Sequence, residues 1–276
     1  MKKLIFVATL ALMLASCSKE NKETKADQSV CRFHTVTTDR QCKYELPDSI
    51  KEMYGDGEIY AHLQASICWP DSLGGTAPKE LQDSLLARTF KDFKATSIDS
   101  AITVFRTTPI GFEDLKSVKM TDVKQLPKGE SLSEQIYKMS ITVTPTRITD
   151  RIATFASSFT AYLGGAHGDY GTSYVNYDLT KNQVITAKRL FADMKQLKAA
   201  IMRQININPD YTGGIIVSEV PTVDNFYITD SFITFYYNPS EVGCYAVGTV
   251  IAELPIYELR DYMTAYGKQL FPESED

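Results

Sequence analysis

The chain reads as an α+β protein, with antiparallel sheets and packed helices in two subdomains. Three observations predict this. Several short runs alternate apolar and polar residues, the period of half-buried strands. Other stretches space apolar residues three and four apart, and these helical stretches come singly between the strand runs. No repeat recurs at a fixed period, and the strand runs follow one another as hairpins, which favours α+β. A length of 276 residues fits two subdomains. Their boundary is expected within 125–135, separating 31–130 from 131–276.

The first residues form a targeting segment. Lys2 and Lys3 give a basic start, and Leu4 to Leu14 is apolar apart from Thr9. That run is about half the ~20 residues a spanning helix needs, so it predicts a signal peptide. Leu14-Ala15-Ser16-Cys17 then matches a bacterial lipobox. Residues 1–16 would be removed and Cys17 would carry the lipid. An ordinary signal peptide with an incidental cysteine is the weaker reading, because charge, length, small residues and cysteine agree. The chain is therefore expected on a bacterial membrane, in the outer membrane or periplasm of a diderm. Loss of Lys2 and Lys3 moves the formal charge from −5 to −7. Nucleic-acid binding wants a basic face and is excluded as a class. Ser18 to Ser29 is polar and without periodicity, and 17–30 reads as a flexible tether.

Cys31 to Leu46 mixes β-branched and charged residues around Asp39-Arg40, and a short hairpin is expected. The Gly55-Asp56-Gly57 turn leads into Ile59 to Trp69, where Ile59, Ala61, Leu63, Ala65, Ile67 and Trp69 share one face. His62 lies on the other. After a loop from Pro70, Pro78 opens a helix with Leu81, Leu85, Leu86, Phe90 and Phe93 on one stripe. Ile98 to Phe105 is a second helix candidate. Ile136 to Val143 starts a strand. In Arg151 to Leu163, Phe155, Ser157, Phe159, Ala161 and Leu163 face one way. Tyr174 to Leu179 alternates again, and Thr180 to Gln183 turns the chain, with Asn182 tolerating positive φ. Thr186 is a candidate N-cap. Leu190, Met194, Leu197, Ile201 and Ile205 then predict one amphipathic helix. Phe226 to Ile228, Phe232 to Tyr237 and Ala246 to Leu254 are strand candidates. Pro255 opens a last helix carrying Ile256, Leu259, Met263 and Tyr266.

Beyond Cys17 stand Cys31, Cys42, Cys68 and Cys244. An even count in an exported chain predicts two disulfides, with three connectivities open. Cys31–Cys42 with Cys68–Cys244 is favoured. His34, His62 and His167 are the only histidines. None sits in HExxH, and no GxSxG, SxxK or GxxxxGK occurs. No metal, cofactor or catalytic residue is assigned.

The stretch with most chemistry is Tyr162-Leu163-Gly164-Gly165-Ala166-His167-Gly168-Asp169-Tyr170. Gly164, Gly165 and Gly168 permit a tight corner. Histidine as a residue type serves as a base, a ligand or a sugar hydrogen-bonding group, which singles out His167, and Asp169 is placed to orient it. Capping of loop backbone and contact with a ligand both rank ahead of catalysis for His167. Tyr162, Tyr170 and Tyr174 offer apolar area with a hydroxyl, suited to sugar rings, protein surfaces or ordinary strand packing. Glu241, beside Tyr245, suits a turn whose amides it accepts.

At Tyr162 to Gly168 the chain also resembles a known family, the RsiV-like extracellular domain. Asn176-Tyr177-Asp178-Leu179, Lys188-Arg189-Leu190-Phe191, Phe226-Tyr227-Ile228-Thr229 and Glu241 to Gly248 extend the resemblance in order and spacing. It covers about 135–264 well and 40–125 more loosely. Members include a lysozyme-receptor anti-sigma factor, and a similar module is attached to the peptidoglycan deacetylase PdaC. The sigma-binding segment, membrane helix and deacetylase domain of those proteins are not found in this sequence. The resemblance implies a non-catalytic envelope binding module, for a peptidoglycan-related glycan or a lysozyme-like muramidase. From their own chemistry the candidate ligand contacts are Tyr162, His167, Asp169, Tyr170, Tyr174, Glu241 and Tyr245. An envelope hydrolase or lyase using His167 and Asp169, and a structural envelope lipoprotein, are the alternatives.

Overall fold

The computed structural model describes residues 31–54, 58–90, 95–115, 117–128 and 136–272. Cys17, the tether, the Gly55 to Gly57 turn and Phe93 lie outside the described residues. Strand β1 (Arg32–Glu45) is followed by α1 (Asp48–Tyr54), β2 (Tyr60–Ser72), α2 (Lys79–Thr89) and α3 (Ile98–Thr107). Then come β3 (Lys119–Asp122), β4 (Ile136–Ile148), β5 (Ile152–Tyr162), β6 (Asp169–Asp178) and β7 (Gln183–Ile185). These strands make one seven-stranded sheet in the order β3-β1-β2-β4-β5-β6-β7. Only β2 and β4 run parallel. A parallel pair needs a crossover, and α2 and α3 lie within it.

One face of this sheet is the first core. Ala61, Leu63 and Ile67 of β2 are fully buried, against Leu81, Leu85 and Phe105 from the two helices. Gln64 and Ser66, one residue out of step, are exposed. The α3 start is built from serines: Ser97 Oγ accepts the Ser100 N–H at 3.2 Å and Ser100 Oγ accepts the Ser97 N–H at 3.0 Å.

The hairpin expected around Asp39-Arg40 does not form. β1 is one strand of 14 residues. Asp39 lies opposite Gln64 and accepts from the His62 ring (2.8 Å) and Gln64 Nε2 (3.2 Å). Arg40 Nε donates to Asp122 of β3 at 2.6 Å. These charged residues are cross-strand partners, and no positive-φ residue interrupts the run.

The favoured disulfides fall with the hairpin. Cys31 and Cys42 sit 11 positions apart along extended chain, which separates them by roughly 36 Å. A disulfide needs Cα atoms within about 7 Å. Cys68 lies opposite Thr35 in the middle of the large sheet. Cys244 sits in the loop after the strand Phe232–Tyr237, where its N–H donates to the Gly214 carbonyl (2.9 Å). No disulfide joins the four. Burial pushes the Cys42 thiol up to about 11, so it stays protonated and inert.

The second layer starts after β7 with α4 (Ala187–Leu190) and α5 (Met194–Ile207). β8 (Phe226–Ile228), β9 (Phe232–Tyr237) and β10 (Val250–Pro255) form an antiparallel sheet in the order β10-β9-β8. α6 (Ile256–Leu259) and α7 (Ala265–Leu270) close the chain. Leu197, Ile201 and Ile205 pack with Phe226, Phe235, Val250 and Leu254. The single helix expected from Leu190 to Ile205 is two, because each half has its own cap. Thr186 Oγ1 accepts the Arg189 N–H (3.2 Å), and Asp193 Oδ1 accepts the Gln196 N–H (2.9 Å). The last helix is likewise split at extended Met263, and Thr264 Oγ1 caps α7 through the Gly267 N–H. The strand expected from Ala246 starts at Val250, after a single helical turn that ends at Gly248 with φ +73°.

Asparagines join the two layers. β7 pairs only with Asn176 to Asp178, so the rest of the β6 edge needs other partners. Asn238 Oδ1 accepts the Thr172 N–H (2.6 Å), and Asn225 Oδ1 accepts that of Tyr174 (2.9 Å). Asn225 Nδ2 donates to the Thr172 carbonyl and Asn176 Nδ2 to that of Phe226, each at 2.8 Å.

Candidate functional site

The glycine stretch is the corner between β5 and β6. Gly164 and Gly165 take φ of +82° and +88°, the left-handed region that only glycine enters freely. Tyr162 Oη donates to the Gly165 carbonyl at 3.0 Å, closing the corner over itself. The His167 ring stacks on Tyr245 with centroids 4.0 Å apart and planes 23° from parallel. Tyr245 Oη donates to the Gly168 carbonyl at 2.6 Å, and His167 Nδ1 lies 3.0 Å from the same oxygen. A carbonyl only accepts, so that contact requires a proton on Nδ1. Asp169 Oδ1 accepts the Tyr170 N–H at 2.9 Å. His167 and Asp169 thus each hold backbone, and no hydrogen bond joins them.

The remaining candidates divide. Tyr170 is 39% exposed beside this corner. Glu241 braces the turn after β9: Oε2 accepts the Asn238 N–H at 2.8 Å and Oε1 accepts Asn238 Nδ2 at 3.3 Å. Ser240 in that turn has φ +69°. Tyr174 faces the junction of the layers, 4.8 Å from the Tyr227 ring and 5.4 Å from that of Tyr236. Burial, with those two neighbours, pushes its hydroxyl up to about 12. The corner therefore gathers Tyr162, His167, Asp169, Tyr170 and Tyr245, while Glu241 acts through Asn238 and Tyr174 stands apart.

A groove of about 320 Å³ opens beside Asp169, between the end of α2 and strands β4 to β6. Arg88, Thr89, Ser157, Ser173 and Asn238 give it polar groups, with Met139 and Phe159 as apolar wall. Thr89 Oγ1 and Ser157 Oγ are 2.8 Å apart. Arg88 Nη2 donates to the Asp224 carbonyl at 3.3 Å, and burial lowers its pKa while the Asp224 carboxylate opposes the shift. Arginine stays charged throughout. Sequence reasoning missed Arg88 and Asn238. One signal was available: Ser157 is a hydroxyl on the core face of β5, between Phe155 and Phe159. Among the described residues no group of three or more His, Cys, Asp or Glu is placed to hold a metal.

Residues 178–257 match a family described as a protein of unknown function, DUF3298. The DUF3298 match runs from Asp178 at the end of β6 through the three-stranded sheet into α6. It contains Glu241 and Tyr245, whereas the corner and most of the groove precede it. Two solved DUF3298 proteins are similar over nearly their full length. One, from Bacteroides fragilis, has 18% identity and a TM-score of 0.61, covering 87% of this chain and 96% of its own. The other, from Pseudomonas aeruginosa, has 13% identity and a TM-score of 0.51, covering 88% of this chain and 98% of its own. At these identities the likeness is one of fold. No curated protein matches the chain.

Residues 1–18 match the prokaryotic membrane lipoprotein lipid attachment site, which spans Cys17. No described helix is long and apolar enough to cross a membrane. The chain is a lipid-anchored protein of the bacterial envelope.

Proposed function

We propose that this protein is a non-catalytic binding module, whose ligand is a peptidoglycan-related glycan or a muramidase-type protein. One observation carries the reading. His167, the residue best suited to chemistry, stacks on Tyr245 and spends Nδ1 on the Gly168 carbonyl. The corner so made presents Tyr162, Tyr170 and Tyr245 next to an open polar groove, the mixture of aromatic faces and hydroxyls that sugars and protein surfaces engage. A lipid anchor in the bacterial envelope and the RsiV-like resemblance support this ligand class.

Calorimetry with lysozyme and with soluble muropeptides tests it. Saturable binding to either, weakened by Tyr245→Ala with the melting temperature little changed, is the expected result. No binding to both probes would sink the ligand class. Wall-glycan cleavage that disappears in His167→Ala would move the assignment to a hydrolase or lyase.

A further inference from the structure

The groove beside Asp169 has a charge pattern that narrows what it holds. Arg88 and Asp169 line the same groove. Arg88 has one hydrogen bond among the described residues, to the Asp224 backbone carbonyl at 3.3 Å, and the Asp224 carboxylate acts on it only through space, raising its pKa against burial. A guanidinium has five N–H donors, so most of its capacity is open to a carboxylate. Asp169 uses Oδ1 on the Tyr170 N–H, and its Oδ2 has no partner among the described residues.

The β5–β6 register sets the distance between the two ends. Thr89, next to Arg88, bonds Ser157, and Ser157 lies opposite Ser173. Asp169 lies opposite Ala161, four positions further along the strands. Four strand residues span about 13 Å, the length of about four extended peptide residues. A small inorganic anion does not fill that span, and a ligand with two acidic ends meets Asp169 with the wrong sign. Between the ends stand Thr89, Ser157 and Ser173, hydroxyls that both donate and accept, as peptide groups require. Phe159, 37% exposed, supplies an apolar floor.

We propose that this groove takes a short zwitterionic peptide, its carboxylate against Arg88 and its ammonium against Asp169. The proposal rests on the envelope-binding reading and deepens it, because peptidoglycan carries short peptides with free amine and carboxylate groups. It puts recognition on the peptide and leaves the sugar outside the groove.

The test is calorimetry on the full lipidated protein in detergent micelles. The probes are a sugar-free wall-stem tetrapeptide, its form N-acetylated at every amine, an intact muropeptide and lysozyme. The free tetrapeptide should bind saturably. Arg88→Met should weaken it roughly tenfold to a hundredfold, the range of a lost charge-assisted bond. Asp169→Asn should weaken the free peptide about tenfold yet leave the N-acetylated form unchanged, since only the former carries the ammonium. Asparagine keeps Oδ1 for the Tyr170 N–H, so this variant should fold even where Arg88→Met does not. N-acetylation alone should weaken binding to the native protein by a similar factor. Muropeptide or lysozyme binding with no tetrapeptide binding overturns the groove assignment and leaves the module reading standing. So does tetrapeptide binding indifferent to both substitutions. No binding by any probe overturns both.

Discussion

Removing the Asp178 carboxylate should break one of the links between the two layers. Asp178 is 1% exposed, yet it is fully engaged. Oδ1 accepts the Thr180 N–H (2.9 Å), the Thr180 hydroxyl (2.6 Å) and the Lys181 N–H (3.0 Å), holding the β6–β7 turn. Oδ2 accepts Tyr266 Oη from α7 at 2.9 Å. Burial alone would raise its pKa, but the Thr180, Lys181 and Tyr266 bonds together outweigh it and hold the carboxyl below its ordinary value. A hydrogen bond to a charged group is worth about 1.5–3 kcal/mol. Thr180 is exposed, so water replaces part of the loss, whereas the half-buried Tyr266 hydroxyl is left with the Gln183 side chain alone. Asp178→Ala should therefore cost about 3 kcal/mol, a fall in Tm of roughly 6–12 °C. The pH dependence has a definite sign. A depressed folded-state pKa gives stability that is complete above the unfolded value of about 3.9 and is lost as pH falls through the folded value. Urea melts of wild type and Asp178→Asn, compared between pH 7 and pH 3, isolate this group from the other carboxylates. The gap between them should be largest at pH 7 and shrink at acid pH. Equal stability at pH 7, or a gap that widens on acidification, would refute the reasoning.

Asn238→Ala should destabilise by about 1–3 kcal/mol, because it removes the partner of the half-buried Thr172 N–H and of Glu241 together. Glu241→Gln, measured by the same thermal melts, should cost less, since it keeps an acceptor for the Asn238 N–H. Denaturing alkylation without reductant should modify Cys31, Cys42, Cys68 and Cys244 alike, read by intact mass. Under native conditions Cys244, which is exposed, should react well before buried Cys42; protection of all four before reduction would restore the disulfides.

How much of this was legible depended on what decided each element. Where one buried face decides, period two or 3.6 reads directly. Ile59 to Trp69 and the stripe Leu81, Leu85, Leu86 lie where their pattern puts them, because burying those side chains outweighs local preference. Turns set by a backbone need were also readable, as with Asn182 at φ +50°. Failures came where partners are distant in sequence. Asp39-Arg40 has turn-like composition, and only Gln64, His62 and Asp122, 23 to 82 positions away, make it strand. The Leu190 to Ile205 spacing ran through a helix break, because Asp193 caps a new start while Phe191 pairs across to Met263. Cysteine parity misled because it carries no geometry.

The candidate site follows the same division. The corner was visible, since three glycines beside a histidine mark a backbone under special constraint. The groove was not, because its residues come from α2, three strands and the turn after β9. Asn238 connects the two descriptions. Its Oδ1 completes the β6 edge at Thr172, its N–H and Nδ2 bond Glu241, and its side chain lines the groove. The polar seam that joins the layers therefore also builds the groove wall. Such a wall, held by the Thr172 main chain on one side and the Glu241 carboxylate on the other, is built before any ligand arrives, as a preformed binding site requires. The same bonds leave Asn238 with little capacity for a ligand, whereas Arg88 keeps open donors and Asp169 an open acceptor for the proposed peptide.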